Sequence, residues 1–340
     1  MLQGSWRQSP TALECTASKL EEIAPLLQRS GAAALCWRRI KSSNLRDIPV
    51  AKSFHHAYRL NTLHAAVNQQ TIEETIALLR SVEIDPILVK GWAVARVYPE
   101  QGLRPYGDID LCVRPEQFAA AEIALKNLPD KQHEIDLHCG FEKFGGGSVD
   151  EIYARSQLAR LGETDVRVLS TEDHLRVLSI HMLREGAWRP LWLCDIAAVV
   201  EFLPSNFDWD FCLSENRRQA DWVLCAISLA QQLLDADISH TPAAQRTRQL
   251  PRWLIPAILK EWESLLPSMT QRHHAPIANY LHSPAGVLRG LRHRWPNPIE
   301  ATISVRGAFN DLPRLPFQLT NCLARTAKFA ARLPKLLREQ

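Results

Sequence analysis

Asp108 and Asp110 are the residues of this sequence with the most direct chemical reading. They open the segment Asp108-Ile-Asp-Leu-Cys-Val113, whose first residues alternate polar and apolar with period two, the pattern of a strand. Side chains at i and i+2 share one face of a strand, so both carboxylates point the same way. Adjacent carboxylates repel unless a cation lies between them. A divalent metal, above all Mg²⁺ with its preference for carboxylate and phosphate oxygens, meets that need. Upstream, Pro86-Ile-Leu-Val89 reads as a short buried strand leading into Lys90-Gly91 and a helix over 92–97. Backbone N–H groups at such a Gly-containing turn can receive phosphate. Downstream, His133 to Cys139 alternates again and sets Glu134, Asp136 and His138 on one face. Asp136 is the candidate third carboxylate and Glu134 the competing one; a plain polar face on an edge strand is the alternative to both.

The elements that must position these groups follow from periodicity and breakers. Apolar residues at helical spacing predict helices over 11–29, kinked or broken in two at Pro25, and over 31–42. After Ile48-Pro49, two helical patterns run over 54–68 and 71–82, the second opened by Thr71 and Glu74 at capping-box spacing. These helices are expected to pack beside the strands and wall a cleft. His55, His56 and His64 lie on them and read as surface or core-edge histidines without a metal role. A helix follows Pro115, an extended stretch covers 165–169, and Thr171 starts a helix with acidic residues in its first turn. His181 and Asp195 form a possible hydrogen-bonded pair across two helices. Gly145-Gly146-Gly147-Ser148 lacks the Gly-Lys-Ser/Thr of a Walker motif and reads as a turn or lid. From 207 onward the pattern is helical with Pro breaks. The last helix places Arg325, Lys328, Arg332 and Lys335 in a basic stripe, with Pro334 expected to kink or end it. Such a stripe suits an anionic membrane surface, a nucleic acid or an acidic carrier, or is a solvated face.

The run from Lys90-Gly91 through Tyr98-Pro99, Arg104 and Asp108 to Leu111, with Asp136-Leu137-His138 beyond, resembles the nucleotidyltransferase superfamily of DNA polymerase β type. Within it, the chain is most similar to the bacterial family 5 nucleotidyltransferases. Residues 172–200 also resemble that family's helical segment, so the resemblance covers about residues 80–200. It implies an α+β fold: a small mixed sheet with flanking helices, embedded in N- and C-terminal helical regions. The domains would then be a helical region over 1–82, the α/β core over 83–170, and a helical domain over 171–340. The implied activity is Mg²⁺-dependent transfer of a nucleoside monophosphate from an NTP to a hydroxyl of a small molecule or protein. Asp108, Asp110 and Asp136 would be the catalytic and metal-binding carboxylates of a two-metal site. Lys90, Gly91 and Arg104 would bind the nucleotide, Lys90 having as its alternative a solvent-facing strand end. Two other classes stand beside this one: an inactive module that binds nucleotide without turnover, and a metal-dependent phosphohydrolase. The sequence lacks the clustered His-Asp motif of common phosphohydrolases.

Composition sets bounds. The chain has 340 residues, 46% hydrophobic and 23% charged, enough for a sizeable core in a soluble protein. Its formal net charge of +3 does not by itself point to nucleic acid. The eight cysteines show no Cys-x-x-Cys pair and several sit in apolar runs, the usage of reduced core thiols. No signal-peptide pattern opens the sequence and no run of eighteen apolar residues occurs, so a cytoplasmic protein is expected.

Overall fold

A computed structural model describes residues 1–10, 12–126, 135–142, 148–214, 216–245, 250–263 and 294–336. Glu134 and the glycines at 145–147 lie outside the described residues, as do the side chains of Arg332 and Lys335. The chain divides into two compact units. One comprises 1–180 with 190–247, and the other 181–189 with 248–340.

The first unit is built on a five-stranded mixed sheet, which makes the fold α+β. Its strands are β1 (Ile87–Leu88), β2 (Ile109–Val113), β3 (Ile135–Cys139), β4 (Gln157–Leu161) and β5 (Thr164–Val168), in the order β3-β2-β1-β5-β4. β2 runs parallel to β3 and antiparallel to β1; β1 runs parallel to β5, which closes a hairpin with β4. Gly162, at φ 52°, opens the two-residue loop of that hairpin, where a positive φ at the first position matches the strand twist.

Among the described residues, the α-helices of this unit are α1 (Ala17–Arg29), α2 (Ala33–Ile40), α3 (Pro49–Ser81), α4 (Trp92–Ala95), α5 (Phe118–Leu125), α6 (Val149–Arg155), the start of α7 (Thr171–Arg184), α8 (Pro190–Glu201), α9 (Trp209–Cys212), α10 (Arg217–Leu234) and α11 (Pro242–Gln245). α1 continues through Pro25 and begins at a Thr16 cap, later than periodicity predicts. The break predicted near residue 70 is absent, because α3 is one helix of 33 residues. Thr71 there does not cap: its hydroxyl donates to the Val67 carbonyl one turn back. No glycine or proline interrupts the stretch, and the buried face runs on through Ala65, Asn68, Ile72, Thr75, Ile76 and Leu79. Tertiary burial outweighs the local start signal.

The strand pleat sorts the core. Ile109, Leu111 and Val113 of β2 pack with Ile72, Ile76 and Leu79 of α3 and Ala121 and Ala124 of α5 on one side. Each fully buried aliphatic side chain there contributes about 1.5–3 kcal/mol relative to exposure. The other side carries Cys112 of β2 with Val89, Phe141, Ile152 of α6 and Val177 of α7. Asp110 lies on this second side by alternation, and Asp136 and His138 of β3 join it.

In the second unit, helices span Leu254–Glu263, Pro298–Ser304 and Leu315–Leu336. The last continues as helix to Leu336, so it does not end at Pro334. Arg325 of the basic stripe stands 3.8 Å from Glu300. No helix among the described residues is long and apolar enough to cross a membrane.

Candidate active site

Register assembles the site. In the parallel β2–β3 ladder Asp110 stands directly opposite Asp136, and Cys112 opposite His138. Asp110 and His138 are each 5% exposed, whereas Asp136 opens to solvent. His138 Nε2 lies 3.0 Å from Asp110 Oδ1 and 3.2 Å from Asp136 Oδ2. One ligating atom from each of the three residues lies within 4.8 Å of the other two. Two carboxylates and an imidazole are a donor set that could hold a divalent metal ion.

Lys90 follows β1 and places Nζ 2.9 Å from the same Asp110 oxygen. Burial pushes the Asp110 carboxyl up, but the His138 hydrogen bond and the Lys90 ammonium outweigh it and leave it below the usual carboxylate value. Asp110 is therefore held as the anion, the form that binds metal. Asp108 sits exposed immediately before β2. Gly91 adopts φ 58°, and a Cβ there would stand 3.0 Å from the Asp108 carbonyl oxygen. Only glycine lets the Lys-Gly turn close onto the backbone of the Asp-x-Asp strand.

Arg104 is committed to a buried ion pair. Its guanidinium is buried and donates from Nη2 to Asp195 Oδ2 at 2.7 Å and from Nε to both Asp195 oxygens at 3.2 Å. Tyr98 donates its hydroxyl to Asp195 Oδ1 at 2.8 Å. Asp195 thus takes Arg104 and Tyr98 as partners. Burial and the Asp195 charge push the Tyr98 phenol well above its ordinary value, so it stays a donor. This buried pair ties the loop before β2 to α8, and Asn68 of α3 donates to the Tyr106 carbonyl of the same loop at 2.9 Å. Glu100 fixes its start by accepting from Arg38, Lys41 and Tyr58. The loop delivering Asp108 is therefore held from α2, α3 and α8.

Of the predicted residues, the structure brings together Asp110, Asp136 and Lys90, with Gly91 against Asp108. His138 joins them, although the sequence reading gave it a face and no role.

Asp110 on one strand, Asp136 on its parallel neighbour, and a Lys-Gly turn against the Asp108 backbone just before the first strand make up the candidate site. The sequence profile of a family described as "Uncharacterised nucleotidyltransferase" matches residues 16–134 and 128–235. The chain belongs to that nucleotidyltransferase family. No curated protein sequence matches it. Among solved structures, an antigenic nucleotidyltransferase-like protein from Paracoccidioides brasiliensis is similar at 17% identity and a TM-score of 0.36, over 51% of this chain and 91% of that one.

Proposed function

We propose that this chain transfers a nucleoside monophosphate from an NTP to a hydroxyl of a small molecule or protein. The observation that carries the reading is the pairing of Asp110 with Asp136 across adjacent parallel strands, with Asp108 two residues before Asp110 in the chain. Asp108, Asp110 and Asp136 would hold the divalent cation, Mg²⁺ in this reading. Such an ion would supply positive charge to the nucleotide phosphates and to the leaving pyrophosphate.

The chain's own residues supply the rest. Lys90, already 2.9 Å from Asp110, brings positive charge to the place where phosphate oxygens would approach. Gly91 leaves the turn beside Asp108 without a side chain, so the triphosphate can come close to the backbone. Arg104 acts at one remove, by holding the loop that presents Asp108. Asp136, the solvent-facing carboxylate, would orient the acceptor hydroxyl and accept its proton. Phosphoryl transfer asks little covalent chemistry of a protein, so positioning and electrostatics account for what these groups do.

The test is calorimetric NTP titration with and without Mg²⁺, on the native protein and on Asp108→Ala/Asp110→Ala. Mg²⁺-dependent binding that disappears in the double variant supports the reading and justifies a screen of acceptors. Binding indifferent to those two aspartates sinks it.

A further inference from the structure

Nucleotidyl transfer by three carboxylates has no use for His138, yet His138 sits at the centre of the site. It is buried on β3, two residues beyond Asp136 and on the same side of the pleat. Its Nε2 approaches Asp110 Oδ1 at 3.0 Å and Asp136 Oδ2 at 3.2 Å. One ring nitrogen carries at most one hydrogen, which cannot point well at two oxygens on different strands. A cation can satisfy all three atoms at once. Two donors bound at right angles to one ion, each about 2.1 Å away, stand about 3.0 Å apart, close to the separations between Nε2 and each carboxylate. The Lys90 ammonium, 2.9 Å from the same Asp110 oxygen, independently marks this place as one that draws positive charge.

We propose that His138 Nε2 is itself a metal ligand. With Asp110 and Asp136 it makes a two-carboxylate, one-imidazole site that takes a first-row transition ion, Mn²⁺ through Zn²⁺, in preference to Mg²⁺. The location rests on the nucleotidyl-transfer reading, and the selectivity does not. Mg²⁺ is a hard ion that favours oxygen ligands and retains its waters. Transition ions accept imidazole readily, with affinity rising from Mn²⁺ towards the end of the series. Three protein ligands leave further coordination positions for water or phosphate oxygen, so the site remains compatible with a nucleotide.

The experiment uses the full chain, freed of metal by chelation and titrated calorimetrically with MnCl₂, ZnCl₂ or MgCl₂ alone. The native protein should bind Mn²⁺ at least about tenfold more tightly than Mg²⁺. His138→Gln should lose about 10–100-fold in Mn²⁺ and Zn²⁺ affinity while its Mg²⁺ affinity moves less than about threefold. His138 is buried, so circular dichroism checks that the variant is folded. The native protein also gives a readout that needs no substitution: electron spin echo modulation from ¹⁴N bound directly to Mn²⁺. Mn²⁺-loaded native protein without nitrogen modulation, or a folded His138→Gln variant with unchanged metal selectivity, overturns the assignment and leaves the carboxylate site standing. Failure of every divalent ion to bind overturns both.

Discussion

Replacing Asp195 by alanine should be among the most damaging single changes in this protein. Its side chain is fully buried, and the Arg104 side chain is 8% exposed. The pair is held by the 2.7 Å contact and the two 3.2 Å contacts from Nε. Truncation leaves the guanidinium in a low-dielectric interior with the Pro105 carbonyl, 3.1 Å from Nη1, and also strips the Tyr98 hydroxyl of its acceptor. Breaking a buried pair by removing one partner costs about 3–5 kcal/mol, a large share of the roughly 5–15 kcal/mol that holds a domain folded. Urea unfolding followed by tryptophan fluorescence reads this directly. Arg104→Met/Asp195→Leu should recover at least half of the loss, because it removes both charges and fills the space. An Asp195→Ala variant within about 1 kcal/mol of the native protein would refute the claim that this pair carries the loop.

Two further outcomes are expected. Burial, with Arg96 and Arg104 adding to it, pushes the His174 imidazole down from 6.5 to about 3. The folded chain therefore keeps it neutral while the unfolded chain takes up a proton below about pH 6.5. Stability from this group is complete above that value and drains away as pH falls towards 3. At pH 5 the loss is about 2 kcal/mol, from about 1.36 kcal/mol per pH unit, and His174→Leu should lose that much less stability between pH 7 and pH 5 in urea titrations. Gly91→Ala should cost about 1–2 kcal/mol, since it forces a left-handed backbone on a residue whose Cβ meets the Asp108 carbonyl. Gly107→Ala, whose Cβ would meet nothing within 4 Å, should leave the thermal midpoint almost unchanged.

What the sequence made legible was what depends on neighbours within a few residues. Alternation in 108–113 and 135–139 was enough to place Asp110 and Asp136 on strands and to separate the two faces of β2. The partner of Arg104 was not legible, because Asp195 lies 91 positions away and no local pattern links the two. β4 was missed for a physical reason. It is an edge strand in which Leu158 turns outward beside the inward Ala159 and Leu161, so apolar and polar residues do not alternate cleanly, although Gly162-Glu163 before Thr164 carries a hairpin signal. Thr71 shows the opposite failure, a correct local motif inside a helix that burial keeps continuous. His138 had the right face and lacked a role, since alternation says which way a side chain points and nothing about what it meets.

The β2–β3 register has a consequence for how this site tolerates change in its gene. Strand pleating makes the arrangement a matter of parity. Adding or deleting a single codon inside β3, upstream of Asp136, would turn Asp136 and His138 to the side of Ile109 and Leu111, while two codons would keep them facing Asp110 one step along the ladder. Inheritance of the site should therefore show even-numbered length changes within the strand and any length in the connections outside it. Related chains can be compared on that point without a single activity measurement.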